Sequence, residues 1–330
     1  MFNYLSAPIK VSFDITYQCN LKCLHCRISE EQKKDELFLS EVQKIIDELS
    51  AMKVFVLGIS GGEPLTRSGL TDIIVYAAKS DIVRILLSTN CTLLSDDVLT
   101  ELRDYRDKLV LKVSIDGLSD TYDSIRGIPG AFEKTVESVR FAINQGFRVN
   151  VTTTLMKCNF QEFIEVIEFT HKLGVRKHRI IGIMPLGKAN ADLILSDKDL
   201  KSAWLLFKHN EEKLKRPDFD VALDIPFMEQ PYTEFTCKAG ISECGILPDG
   251  TVVGCRLMPE FTSGSIKDRK FSEIWKNAES FKPFRTLTPD EIIGNCLSCE
   301  YGESCRGGCR AYSMAIYKDF YMPDPRCPLA

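Results

Sequence analysis

Short apolar runs alternate with amphipathic stretches along residues 10–184. Val11, Phe13 and Ile15 mark a first strand, and residues 54–60 form the continuous apolar run expected of a strand buried on both faces. Comparable runs recur at 83–88, 109–115, 148–155 and 179–184. Between them the period becomes helical. Val42, Ile45, Ile46 and Leu49 share one stripe, and Ser40 with Gln43 has the spacing of a capping box, which predicts a helix over about 40–52. Phe132, Val136, Val139 and Ile143 form another stripe, and Phe163, Ile164 and Ile167 a third.

Six strands alternating with helices predict an α/β fold whose parallel sheet is joined by right-handed crossovers. A closed eight-fold barrel usually takes about 250 residues, so six units over residues 1–190 predict an incomplete, open barrel. Ligands of such a sheet collect at the carboxyl ends of its strands. Residues 191–230 depart from the alternation, with a helix over about 198–215 and a connector carrying Pro217 and Pro226 and running on to Pro231; they read as a bridge. Residues 231–330 are rich in cysteine and glycine, so their stability is expected to come from metal more than from a large apolar core.

The chain has 330 residues, 44% hydrophobic and 27% charged, ordinary values for a globular protein able to bury a sizeable core. A formal charge of −4 excludes a nucleic-acid binder that relies on a broad positive surface. The first ten residues hold no apolar segment of signal-peptide length and no later run approaches a membrane span, so a cytoplasmic protein without a membrane partner is expected. In a reducing compartment, thirteen clustered cysteines point to metal ligands before disulfides.

Cys19, Cys23 and Cys26 follow the first strand on one tight turn. A four-iron cubane wants four thiolates, and three leave one iron open, as catalytic metal sites keep a position for what reacts. Zinc is the alternative on spacing alone. Gly61, Gly62 and Glu63, followed by Pro64, end the second strand: glycines let backbone approach a ligand, and a carboxylate there can accept from an ammonium. The plainer reading is a turn with a solvated Glu. Ser88 and Asn90 close the third strand, and Ser114 and Asp116 the fourth. Arg126 is either a fork for a carboxylate or half of a surface ion pair. Beyond the bridge, Cys237, Cys244, Cys255, Cys296, Cys299, Cys305, Cys309 and Cys327 supply thiolates for two cubanes, or ligands for two structural zincs.

The opening cysteines resemble the signature of the radical S-adenosylmethionine (SAM) enzymes, with His25 at the ring-bearing position before the last cysteine. Gly61-Gly62-Glu63-Pro64 resembles the GGEP element of that family. The stretch from Cys237 to Cys327, with Trp275 and Cys305-Arg-Gly-Gly-Cys309, resembles the SPASM extension. The resemblance implies a partial (βα)6 radical SAM barrel over 1–190 and a small C-terminal iron–sulfur SPASM domain over 231–330. It implies three [4Fe–4S] clusters and SAM as cofactors. Glu63 would hold the SAM amino group, residues such as Ser88, Asn90, Ser114 and Asp116 its sugar and methionine parts, Arg126 its carboxylate, and residues 184–187 would flank adenine. By the same resemblance Cys237, Cys244, Cys255 and Cys309 form one auxiliary set and Cys296, Cys299, Cys305 and Cys327 the other.

Two cysteines remain at the rim, Cys91 and Cys158, where the family often has glycine at the former place. They are candidate hydrogen-atom donors, as in some radical SAM peptide epimerases, or simply small buried residues. The resemblance extends to peptide maturases and to enzymes of the pyrroloquinoline quinone, mycofactocin and haem d1 pathways. It implies reductive cleavage of SAM to a 5′-deoxyadenosyl radical that abstracts hydrogen from an unactivated carbon, first of all in a ribosomally made peptide. Small metabolites such as an aminocyclitol, a porphyrin or a cofactor precursor are the alternative substrates. Because the barrel pattern starts near residue 1, a peptide would come with a separate recognition protein. An external reductant such as flavodoxin or ferredoxin is implied. A non-catalytic iron–sulfur carrier or redox regulator would need the same cysteines but not Gly61, Gly62 and Glu63.

Overall fold

The computed structural model describes residues 4–28, 35–226, 228 and 236–329. Pro231 of the connector lies outside them. The barrel runs β1 (Lys10–Asp14), α1 (Leu39–Ala51), β2 (Val56–Ser60), α2 (Leu70–Lys79), β3 (Arg84–Thr89), α3 (Asp96–Leu102), β4 (Leu109–Ser114), α4 (Ser119–Arg126), α5 (Ala131–Asn144), β5 (Arg148–Leu155), α6 (Phe163–Lys172) and β6 (Lys177–Gly182). There follow α7 (Asp197–Leu214), β7 (Asp220–Asp224), β8 (Glu243–Ile246), β9 (Thr251–Val253), β10 (Thr262–Ser265), α8 (Phe271–Asn277), α9 (Lys282–Thr286), α10 (Gly302–Cys305) and α11 (Arg310–Tyr317).

The six expected strands form and pair in parallel in chain order. Among the described residues the sheet nevertheless has ten strands, in the order β10-β9-β8-β1-β2-β3-β4-β5-β6-β7. The stretch read as a bridge supplies β7, parallel to β6, and the cysteine-rich part supplies β8, parallel to β1, with β9 and β10 antiparallel beyond it. β7 has no apolar run to announce it: it is an edge strand that keeps Val221 inside and sets Asp220 and Asp224 against Lys177 and Arg179.

α1 starts at Leu39 and not at a Ser40 cap. The Phe38 N–H donates to the Glu41 carboxylate at 2.7 Å, and Leu37 N–H is fixed to Pro248 O, so the chain enters the helix earlier and the Ser40–Gln43 box does not form. Elsewhere the stripes hold. Val42, Ile45, Ile46 and Leu49 of α1 and Val139 of α5 pack on alternate residues of the strands, among them Val11, Phe13, Leu57, Ile59, Ile85 and Leu87. The same core takes in Ile246, Val252, Phe271, Ile274, Trp275 and Phe281, so it reaches far into the cysteine-rich part. The Trp275 indole N–H is bonded to Leu5 O at 2.9 Å. Beyond Phe281 the apolar groups are few: Phe284, Leu287, Ile292, Ala311 and Phe320 gather with Met258 and Ala239. Among the described residues no helix is long and apolar enough to cross a membrane.

Candidate active site

The carboxyl ends of β1 to β6 surround a cleft of about 380 Å³. Its wall holds Cys19, Cys23, His25 and Cys26 from the loop after β1, Gly61, Gly62 and Glu63 after β2, Ser88 of β3 and Asn90 just after it, Ser114 of β4, Arg126 of α4 and Met184 and Leu186 after β6. Residues expected from the sequence to bind one ligand therefore meet in one place. The cysteine loop is held from two sides. Lys22 and Leu24 donate to the carbonyls of Arg126 and Ile125 at the end of α4, while Gly62 and Glu63 donate to the carbonyls of Thr16 and Gln18. That second contact gives the glycines a use besides lining the cleft. A Cβ at Gly61 would overlap Thr16 O and one at Gly62 would overlap Gln18 O, so both make room for the cysteine loop before any ligand arrives.

Glu63 is buried, 1% exposed. Its carboxylate accepts from Thr89 Oγ1 (2.7 Å), Asn90 N (2.7 Å) and Leu65 N (3.1 Å). Burial pushes its carboxyl up, and these donors hold it back. Among the described residues no cation forms an ion pair with it. A buried carboxylate on a cleft, with no ion-pair partner among the described residues, suits an ammonium ligand.

Arg126 lines the cleft, whereas Asp116 is not on its wall. The Arg126 guanidinium is spent on Asp116 Oδ2 (2.5 Å), on Ser114 O (3.0 Å) and on Cys23 Sγ (3.4 Å), and lies over the Tyr122 ring. Asp116 also accepts from Thr154 N at 2.6 Å and sits behind the cleft wall, fully buried. The pair braces the cysteine loop from inside, while Arg126 also lines the cleft and, among the described residues, keeps its Nε–H without a partner. His25 Nε2 stands 3.7 Å from Asp116 Oδ2, its Nδ1 is buried and has no partner among the described residues, and burial lowers its basicity.

Cys91 and Cys158 do not reach this cleft. Cys91 is fully buried in the core at φ +68°, the left-handed conformation that explains a glycine preference there. Cys158 is exposed on the turn after β5. Neither is placed to give a hydrogen atom to a ligand in the cleft.

In the last third, Cys237, Cys255, Cys296 and Cys309 pack about the small apolar group of Phe284 and Met258, and Cys305 packs with Cys327. Burial pushes the Cys237 thiol up to about 12, with Cys255 and Cys309 adding to it. Burial raises Cys305 to about 11, with Cys327 and Cys296 adding. Cys296 stands between the two groups: it packs on the same apolar cluster as Cys237, Cys255 and Cys309, while the cysteines whose charges bear on it are Cys327 and Cys299. Cys244 stands apart from both. Cys244 lies in β8 opposite Val11, 4% exposed, in the main core with Trp275 and Phe281. The charges that bear on it are those of Arg285 and Glu243 and of no cysteine. Strand alternation turns it to the helix side of the sheet, away from the set it was expected to complete. The Cys305–Cys309 turn is built by Arg306, Gly307 and Gly308 at positive φ, and Asp324 accepts from Cys309 N at 2.9 Å.

Sequence reasoning missed Asp14, Arg27 and Arg256. Asp14 ends β1, is buried, and receives both guanidiniums. A signal was available: each arginine directly follows a cluster-type cysteine. Also missed was Glu36, which anchors the start of the loop through Thr16 Oγ1 (2.8 Å) and Tyr17 N (2.7 Å).

The donor sets fit iron–sulfur clusters. Burial raises Cys19, and neighbouring Cys23, Glu63 and Cys26 raise it further; thiols crowded in this way stay deprotonated only around a cationic metal core. Comparison with known proteins agrees. Residues 13–170 match the radical SAM superfamily and residues 237–300 the SPASM iron–sulfur cluster-binding domain. The AdoMet-dependent heme synthase of Methanosarcina barkeri is 31% identical over 99% of this chain and 98% of its own. The mycofactocin maturase MftC of Mycobacterium tuberculosis is 31% identical over 98% of this chain and 83% of its own. Streptococcus suis SuiB bound to S-adenosylmethionine shares the fold, with a TM-score of 0.83 at 16% identity over 99% of this chain and 78% of that one. The chain belongs to the radical SAM superfamily and is a SPASM-type iron–sulfur enzyme of that family.

Proposed function

We propose that Cys19, Cys23 and Cys26 hold a [4Fe–4S] cluster whose fourth iron is left for SAM, and that the cleft above them receives the rest of SAM. The observation that carries this is Glu63: a buried carboxylate, without an ion-pair partner among the described residues, on the same cleft as three thiols. Reduced, a cluster of this kind cleaves SAM to methionine and a 5′-deoxyadenosyl radical that takes hydrogen from an unactivated carbon.

The chain's own residues do the positioning. Glu63 takes the ammonium, and Ser88, Asn90 and Ser114 offer polar groups to the ribose and methionine parts. Met184 and Leu186 give the adenine an apolar wall. Arg126 braces the loop through Asp116 and donates to Cys23 Sγ, which favours the thiolate. The SPASM part, from residue 231 behind a bridge at 191–230, holds two auxiliary clusters. Cys296, Cys299, Cys305 and Cys327 supply one, and Cys237, Cys255 and Cys309 the other, with Cys244 left in the core. Oxygen-sensitive clusters suit a reducing cytoplasm and an external one-electron donor such as flavodoxin or ferredoxin.

Two substrate readings are supported. Similarity to a maturase favours modification of a ribosomally made peptide, presented by a separate recognition protein. Equal identity to a heme synthase, over nearly the whole length of both chains, favours a tetrapyrrole. Anaerobically reconstituted protein, reduced with dithionite and given SAM, is expected to release 5′-deoxyadenosine, and Cys23→Ala to release none. Adding the peptides encoded beside the gene, or iron porphyrins, then separates the readings by the mass change of the product.

A further inference from the structure

Cys26-Arg27 and Cys255-Arg256 lie far apart in sequence, yet Asp14 brings their guanidiniums to one point. One carboxylate oxygen takes Arg27 and the other takes Arg256. Asp14 is buried, while each arginine side chain keeps 27% exposure. One negative charge thus holds two positive ones. A guanidinium carries five N–H donors, and among the described residues neither arginine donates to any other group.

The spare donors have somewhere to point. Arg27 and Arg256 line a cavity of about 290 Å³ with Lys318 and Glu260, between the apolar walls of Leu186, Leu257 and Met314. Arg27, Leu186 and Leu257 also line the SAM cleft, so the two spaces adjoin; Arg256 does not. Backbone packing fixes both arginines. Gly187 lies against the Cys26–Arg27 backbone, where a Cβ would overlap Cys26 O, and a Cβ at Gly245 would overlap the stem of Arg256.

We propose that Arg27 and Arg256 form a subsite for a carboxylate of the substrate, beside the place where the radical is generated. A fork of two guanidiniums matches a carboxylate or a phosphate. With Asp14 and Glu260 set against Arg27, Arg256 and Lys318 the wall has a surplus of one positive charge, which a monoanion neutralises and a dianion overshoots. The apolar walls call for an apolar body behind the anionic group. A peptide carboxylate and a tetrapyrrole propionate both meet that description, so the inference rests on the substrate readings above and narrows them.

Arg256→Gln leaves Asp14 paired with Arg27, and iron content and far-UV circular dichroism serve as the folding control. On SAM-loaded, oxygen-free holoenzyme, benzoate is expected to bind at least about ten-fold more tightly than benzamide. Arg256→Gln should bring the two level while SAM affinity stays unchanged, and Arg256→Lys should fall between. Haemin preferred over its dimethyl ester supports the subsite with a tetrapyrrole source. A neighbouring-gene peptide preferred as free acid over its amide supports it with a peptide source. Benzoate preference without binding of either larger probe keeps the subsite and removes both substrate readings. Equal binding of benzoate and benzamide by the wild type, a preference that survives Arg256→Gln, or a matching loss of SAM affinity overturns the inference.

Discussion

The barrel and the segment after Phe281 are held together by different physics. The barrel's strands and helices close over one continuous apolar core, which also claims β8, β9 and α8. After Phe281 a handful of apolar side chains remain, and buried arginines tie the backbone instead: Arg306 donates to Leu287 O and Phe284 O, and Arg310 to Phe320 O and Met322 O. Few residues there bury enough apolar surface to offset chain entropy, so the thiols tied to a cluster carry the balance. The barrel is a scaffold that awaits its cofactor. The last segment is shaped by its own.

The largest effects should therefore separate the two. Cys309→Ala should make residues 282–329 labile to protease and lower the iron content, while peptides from 10–224 stay protected in hydrogen exchange; loss of protection across the barrel would break the contrast. In the barrel, Cys23→Ala should abolish SAM cleavage, at least about a thousand-fold, with little change in melting temperature. Glu63→Gln should weaken SAM binding about thirty-fold, since it removes one side of a buried charge pair, and leave iron content unchanged. Cys244→Ala sharpens the boundary. It should cost about 1 to 2 kcal/mol as a small core cavity and leave the iron count as it was, whereas Cys237→Ala should lower it.

The smallest effect lies in the barrel core. His178 sits fully buried between Thr153 Oγ1 and Thr170 Oγ1, each at 2.8 Å, and burial lowers its pKa to about 3. Its unfolded value is higher, so the unfolded chain binds the proton first as pH falls. The stability it contributes is present above about pH 6.5 and is lost on the way down towards 3. The urea midpoint of the wild type should fall between pH 7 and pH 5.5 by more than that of His178→Gln.

Much of this was legible before any coordinates. The apolar runs around Leu57, Leu86, Leu111 and Val151 announced their strands because a parallel sheet covered on both faces demands them, and three cysteines in one turn announced the cluster loop. What escaped depends on facing and register. Eight cysteines can be counted from the sequence, but only the pairing of Cys244 with Val11 turns its thiol to the core. β7 escaped because an edge strand needs only one buried residue. The partner of Arg126 escaped because the depth of Asp116 is not written locally, and the Asp14 triad escaped because it joins residues distant in the chain.

The central claim is that the Cys19, Cys23 and Cys26 loop holds a cluster with one corner free for SAM. Electron paramagnetic resonance of the dithionite-reduced protein, recorded with and without SAM, tests it most directly. The account predicts that SAM shifts one set of signals, that this set is missing in Cys23→Ala, and that the remaining signals do not move. Signals that ignore SAM in the wild type, or a shift that persists in Cys23→Ala, would contradict it.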